Sequence, residues 1–92
     1  MSNVYNEIRE LVSATCGIPE ESIKPETNLI DDLSIDSIDF MDVTYEIDRK
    51  YKIKLPVADW MTEINAGQAE IADYFVMRKL CERVESMAAA RA

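Results

Sequence analysis

The stretch Asp31-Asp32-Leu33-Ser34-Ile35-Asp36-Ser37-Ile38-Asp39-Phe40 sets one serine between two aspartates where the pattern marks the start of a helix. Asp36 is suited to accept a bond from one of the first free backbone amides. Asp39, three residues on, brings a carboxylate to the helix's positive end. Ser37 is then expected in the first turn with an exposed hydroxyl, where free amides and the helix dipole tolerate a phosphate ester. A bare Asp-Ser pair most often does no more than cap a helix, so the flanking residues have to decide its meaning.

Working outward, the chain reads as helices. Phe40, Val43, Ile47 and Tyr51 recur at spacings of three and four and predict the buried face of a helix from Ser37 to about Tyr51. Ile38, Met41 and Tyr45 lie off that stripe and form an apolar strip bordered by Asp42, Glu46 and Asp48. Val4, Ile8, Leu11 and Val12 predict a first helix over 3–15, with Ser2 as a candidate cap. Between the two, Gly17, Pro19 and Pro25 break the pattern. Pro19-Glu20-Glu21-Ser22-Ile23 is expected to make one helical turn, and Ile23, Leu29 and Leu33 to pin the loop to the core. Pro56 suits the first turn of a short third helix holding Val57, Ala58, Trp60 and Met61 and closed by Asn65-Ala66-Gly67. A fourth helix is expected from about Gln68 into the 80s, with Ile71, Ala72, Phe75, Val76 and Leu80 inward and Arg78, Lys79, Glu82, Arg83 and Glu85 wet. The expected fold is all-α, a four-helix bundle of three longer helices and one short one. It is a single domain over 1–92, with a folded body to about 86 and a frayed alanine-rich tail over 87–92.

Composition narrows the function. At 92 residues and 48% hydrophobic content the chain forms one modest core. It holds no apolar run long enough to span a bilayer and no signal-peptide pattern, so a cytoplasmic location is expected. Cys16 and Cys81 are far apart, match no zinc or redox spacing, and read as buried or half-buried thiols rather than a disulfide. Without histidine, near-neutral general-base chemistry and metal ligation lose their usual residue, which argues against an enzyme. The net charge of −8 is uneven: residues 1–48 carry twelve acids against Arg9 and Lys24, whereas residues 49–92 carry six acids and eight bases. An acidic half around Ser37 repels nucleic acid and anionic membrane and attracts basic patches on protein partners.

These residues together resemble the prosthetic-group site of acyl carrier proteins, whose Asp-Ser-Leu-Asp-type motif stands here as Asp36-Ser37-Ile38-Asp39. Upstream, Ile23-Lys24-Pro25-Glu26-Thr27-Asn28-Leu29 and Asp31-Asp32-Leu33 look like the family's loop. Downstream, Ile47 to Tyr51 and Ile53-Lys54-Leu55-Pro56 resemble the end of its second helix. The resemblance implies 4′-phosphopantetheine on Ser37, flanked by Asp36 and Asp39 and added from coenzyme A by a phosphopantetheinyl transferase. It implies carriage rather than catalysis. Ketoacyl synthases and other fatty-acid elongation enzymes would dock through Ile38, Met41, Asp42, Tyr45, Glu46 and Asp48. Trp60-Met61-Thr62-Glu63-Ile64-Asn65-Ala66-Gly67, then Tyr74-Phe75-Val76 and Leu80-Cys81, resemble the specialised AcpXL-type carriers. That implies a very-long-chain hydroxylated fatty acid passed to a lipid A acyltransferase, and Trp60 with five methionines is consistent with a deformable interior. Arg49, Lys50, Lys52 and Lys54 depart from the family's more acidic helix end.

Other readings stay open at this level. An ordinary fatty-acid-synthesis or polyketide-type carrier shares the same motif. A protein-interaction module without a prosthetic group is the rival from another class. A calcium loop from Asp32 meets Ser37 where glycine is needed and Val43 where glutamate closes the site. A serine hydrolase lacks its histidine and its Gly-x-Ser-x-Gly turn. No heptad pattern calls for self-association, so a monomer is expected.

Overall fold

The computed structural model describes residues 3–90, and at Ser37 the backbone alone. Helix α1 spans Asn3–Cys16, a single 3-10 turn Glu20–Ser22 follows in the loop, and α2 spans Ser37–Tyr51. The second half holds α3 (Val57–Asn65), α4 (Ile71–Phe75) and α5 (Met77–Ala90). The expected Ser2 cap and the last two residues of the tail lie outside the described residues.

The core follows the apolar spacing. Ile8 and Val12 of α1, Val43 and Ile47 of α2, and Leu80 and Val84 of α5 are fully buried against one another in one cluster with Ile23 and Leu29 of the loop. Leu33 and Tyr51 are only half-buried at its edge. Tyr51 instead donates its hydroxyl to Glu7 Oε1, tying α2 to α1. Burial and that carboxylate push its phenol well above the ordinary value. Thr44 also faces inward, and its hydroxyl donates to the Met41 carbonyl at 2.8 Å, which lets a polar side chain sit in the core.

Helix ends are set by backbone chemistry. Gly17 takes φ 68° after α1, so that its own amide and that of Ile18 both reach the Ser13 carbonyl. The same left-handed stop ends α2, but there the residue is Lys52, at φ 55°. Pro56 precedes α3 rather than entering its first turn: Trp60 N donates to Pro56 O, so the proline supplies the first helical acceptor.

The main correction concerns the fourth helix, which is two helices. Its periodicity is continuous in sequence, but Val76 adopts extended backbone (φ −74°, ψ 129°) and pairs with Asn28 in an isolated antiparallel bridge. Glu70 and Asp73 cap the short α4 reciprocally. Leu29 N donates to Phe75 O at 2.9 Å, Met77 N to Thr27 O at 2.9 Å and Arg78 N to Pro25 O at 2.8 Å. The loop thus satisfies the end of α4 and the beginning of α5, the groups that an interrupted helix leaves orphaned. The break also turns Ala72 outward, against expectation, and carries Tyr74, Met77, Cys81 and Val84 inward. Helix α5 continues to Ala90, and Met87 packs against the core beyond the expected end of the folded body. Of the methionines meant to soften the interior, Met77 alone is fully buried among the described residues, while Met41 and Met61 are exposed. Trp60 is core: its ring stacks on Tyr74 at 4.8 Å, and the Arg83 guanidinium lies 4.6 Å from the Tyr74 centroid.

Two stability outcomes are expected in urea titrations. Leu29→Ala empties a fully buried position and lowers the unfolding free energy by about 2–5 kcal/mol. Lys52→Gly relieves the left-handed strain and raises it by about 0.5–1 kcal/mol, once the extra freedom of glycine in the unfolded chain is counted.

Candidate functional site at the start of the second helix

The loop before α2 is built around Asn28. Its side-chain oxygen accepts from the amides of Ile30 and Asp31, each at 3.0 Å, while its own amide donates to Asp32 Oδ2 at 2.8 Å. This Asx turn and the Asp32 N to Asn28 O bond at 2.8 Å coil the acidic segment tightly. Ser34 completes the turn in left-handed conformation, φ 56°, and Ile35 N returns to Leu29 O at 3.2 Å. The chain thereby reaches Asp36 in extended conformation, the geometry an N-cap requires.

Asp36 Oδ1 accepts from Asp39 N at 2.8 Å, and Ser37 is the first helical residue. The cap expected from sequence is therefore present, and the acids gather around it: Asp36 and Asp42 are exposed and Asp39 is half-exposed. Their field is felt by Cys16 at the end of α1. Burial chiefly raises its thiol pKa, and the charges of Asp39, Asp36 and Asp42 add to the shift. Cys81 is inert for a similar reason, with burial pushing it up to about 12.

Beside this helix start opens an apolar cavity of about 220 Å³. Ile30 and Ile35 of the loop, Phe40 and Met41 of α2, Val57 and Met61 of α3, and Ile71 and Phe75 of α4 line it, with Asp36 at its rim. Phe40 and Phe75 meet edge-on at 4.5 Å in its wall. The sequence pattern singles out Ser37 and gives no sign of this lining. The residues come from four separated segments, and only the break at Val76 turns the Ile71 and Phe75 side of α4 toward the loop.

The outer strip of α2 is where the sequence predicts it: Ile38, Met41 and Tyr45 are 73%, 53% and 60% exposed. Asp42 and Glu46 border it. Asp48 is half-buried, and its Oδ1 accepts from Leu55 N at 3.0 Å, so this carboxylate also holds the turn into α3. Among the described residues, no group of three or more Cys, Asp or Glu side chains is arranged to hold a metal ion, and no helix is long and apolar enough to cross a membrane.

Curated proteins match the chain over most of its length. Residues 6–74 match the family of the phosphopantetheine attachment site. The chain is 40% identical to the acyl carrier protein AcpXL of Mesorhizobium japonicum, over 99% of this chain and 98% of that one. It is 39% identical to AcpXL of Rhizobium meliloti, over 96% and 93%. An acyl carrier protein of Thermotoga maritima is 29% identical over 61% of this chain and 69% of its own. A capped serine at a helix start, an apolar recess beside it and these relatives together identify the chain as a member of the acyl carrier proteins, of the AcpXL type, a family whose prosthetic group is 4′-phosphopantetheine.

Proposed function

We propose that this single-domain, cytoplasmic carrier holds a very-long-chain hydroxylated fatty acid, destined for lipid A, on a phosphopantetheine arm attached to Ser37. The observation that carries the reading is the apolar cavity opening beside the Asp36-capped start of α2. A phosphodiester on the first residue of a helix lies close to unpaired amides and the positive dipole end, so the chemistry of this position suits the group. When bound, the arm supplies a terminal thiol on which an acyl chain is held as a thioester. Everything else is the work of the domain's own side chains. Asp36 fixes the backbone at the attachment point, Asp39 and Asp42 surround it with negative charge, and Ile38, Met41 and Tyr45 offer a docking strip to basic, partly apolar partners. On this reading those partners are a phosphopantetheinyl transferase, elongating ketoacyl synthases and a lipid A acyltransferase.

The cavity sets what can be sheltered. At roughly 30 Å³ per water-sized group, 220 Å³ accommodates about seven methylenes, each gaining up to about 0.8 kcal/mol on burial. That retains the first part of an acyl chain and leaves it retrievable. The distal part of a very long chain stays outside, where a partner covers it.

Two outcomes follow. Incubation with coenzyme A and a broad-specificity transferase adds one arm to the wild type and none to Ser37→Ala by intact mass. The folded product also gains one readily alkylated thiol, that of the arm, beside Cys16 and Cys81, whose thiol pKa values are both raised; an arm on Ser37→Ala contradicts the assignment. Loading a long acyl chain onto the arm reduces binding of an apolar fluorescent dye at the cavity, and unchanged dye binding contradicts the sheltering.

A further inference from the structure

The charge on α2 reverses along its length. Asp36, Asp39, Asp42 and Glu46 mark its first part, and Arg49, Lys50, Lys52 and Lys54 follow within a few residues, all four exposed. A solvated helix end accounts for one or two cations in the last turn, but Lys52 and Lys54 lie beyond it. Among the described residues Arg49 alone of the four lies within 4 Å of a carboxylate, Glu46 at 3.8 Å, and its guanidinium lies 6.0 Å from the centre of the Tyr45 ring. Lys50, Lys52 and Lys54 make no ion pair among the described residues. Asp48, the acid closest in sequence, is turned toward Leu55 N.

The cations continue the docking strip. Ile38, Met41, Tyr45 and Arg49 follow spacings of three, four and four, which puts them on one stripe of the helix, and Lys52 and Lys54 extend it past the cap. From Ser37 to Tyr51 the helix rises about 21 Å, well beyond a Debye length at physiological salt, so the two ends act as separate electrostatic features. The same stripe is bordered by Asp42 and Glu46, so a uniformly anionic bilayer lying along it would meet both signs. A protein surface with its own charge reversal meets neither penalty.

We propose that Arg49, Lys50, Lys52 and Lys54 form a second recognition point, which binds an acidic patch on an enzyme that loads or unloads the acyl chain. Such an enzyme reads α2 at both ends, with a basic rim against Asp36, Asp39 and Asp42 and an acidic patch about 20 Å away. The arrangement also selects against an enzyme that is basic at both points, since it would place like charges together. This inference rests on the carrier reading and deepens it.

The test uses the acylated holo protein with ketoacyl synthases and acyltransferases purified from the cells that make this carrier. In the quadruple variant Arg49→Glu, Lys50→Glu, Lys52→Glu and Lys54→Glu, arm addition by a broad-specificity transferase proceeds as in the wild type. For at least one of the acyl-handling enzymes the KM for the carrier rises about tenfold with kcat unchanged, and the salt dependence of that KM flattens. Glutamine at the same four positions gives a smaller rise and serves if the reversed variant loses its helical circular dichroism. A change below twofold for every enzyme overturns the proposal. So does loss, in the variant, of wild-type binding to phosphatidylcholine vesicles with about one third phosphatidylglycerol, which would make a membrane the occupant. Failure of the wild type itself to accept the arm would instead strike at the carrier reading.

Discussion

The structure depends on a short exchange of backbone hydrogen bonds between the loop before α2 and the interruption at Val76. Three bonds, from Leu29 N, Met77 N and Arg78 N, satisfy groups that would otherwise be orphaned in both segments. An unbroken helix through Val76 would use its amides internally and leave the Pro25 and Thr27 carbonyls without these donors. The loop would then be held to the bundle by its buried side chains, Ile23 and Leu29 among them, without these backbone ties, and the helix start would be less firmly placed. Arg78 reinforces the junction from outside, with Nε 2.8 Å from Glu26 Oε1; that bond holds the Glu26 carboxyl below its usual range.

From that junction the functional geometry follows. The anchored loop coils around Asn28 and delivers Asp36 in cap conformation, and the turned α4 contributes Ile71 and Phe75 to the cavity wall. The capped helix start and the apolar recess are therefore products of one constraint, even though their residues are scattered along the chain. Helices α3 and α4 are also held together directly, by the stack of Trp60, Tyr74 and Arg83 and by the bond from Tyr74 to Glu63 at 2.7 Å. The helices α3 and α4 that wall the recess are thus clamped to each other on their other faces.

The helices were legible in sequence where local rules act alone. The Asp36 cap, the spacing of Phe40, Val43 and Ile47, the glycine stop at Gly17 and the turn after Pro19 all came from neighbouring residues. The exposed strip of Ile38, Met41 and Tyr45 was equally plain, because residues that break an apolar period must point elsewhere. What escaped was mainly tertiary. Val76 carries no glycine or proline signal, and the apolar period runs through it, so the break appears only when the loop competes for its neighbours' backbone groups. Glu70 and Asp73, a carboxylate pair three residues apart, carried a helix-start signal that the expected start near Gln68 did not use. Asn28 and its partners Ile30, Asp31 and Asp32 are sequence neighbours, so that turn was open to local rules and was passed over, whereas the burial of Thr44 depends on packing that only the folded chain supplies. The cavity was illegible for the same reason.

The most direct measurement is the intact mass of this protein isolated from its native cells, with fragmentation to locate any adduct. The account predicts phosphopantetheine on Ser37, and in part of the population that arm bearing a very long hydroxyacyl chain. An arm on Ser37 that carries only chains of ordinary length would contradict the very-long-chain assignment. A chain that is unmodified in its own cells, and that also refuses the arm from coenzyme A in the presence of a transferase, would contradict the account altogether.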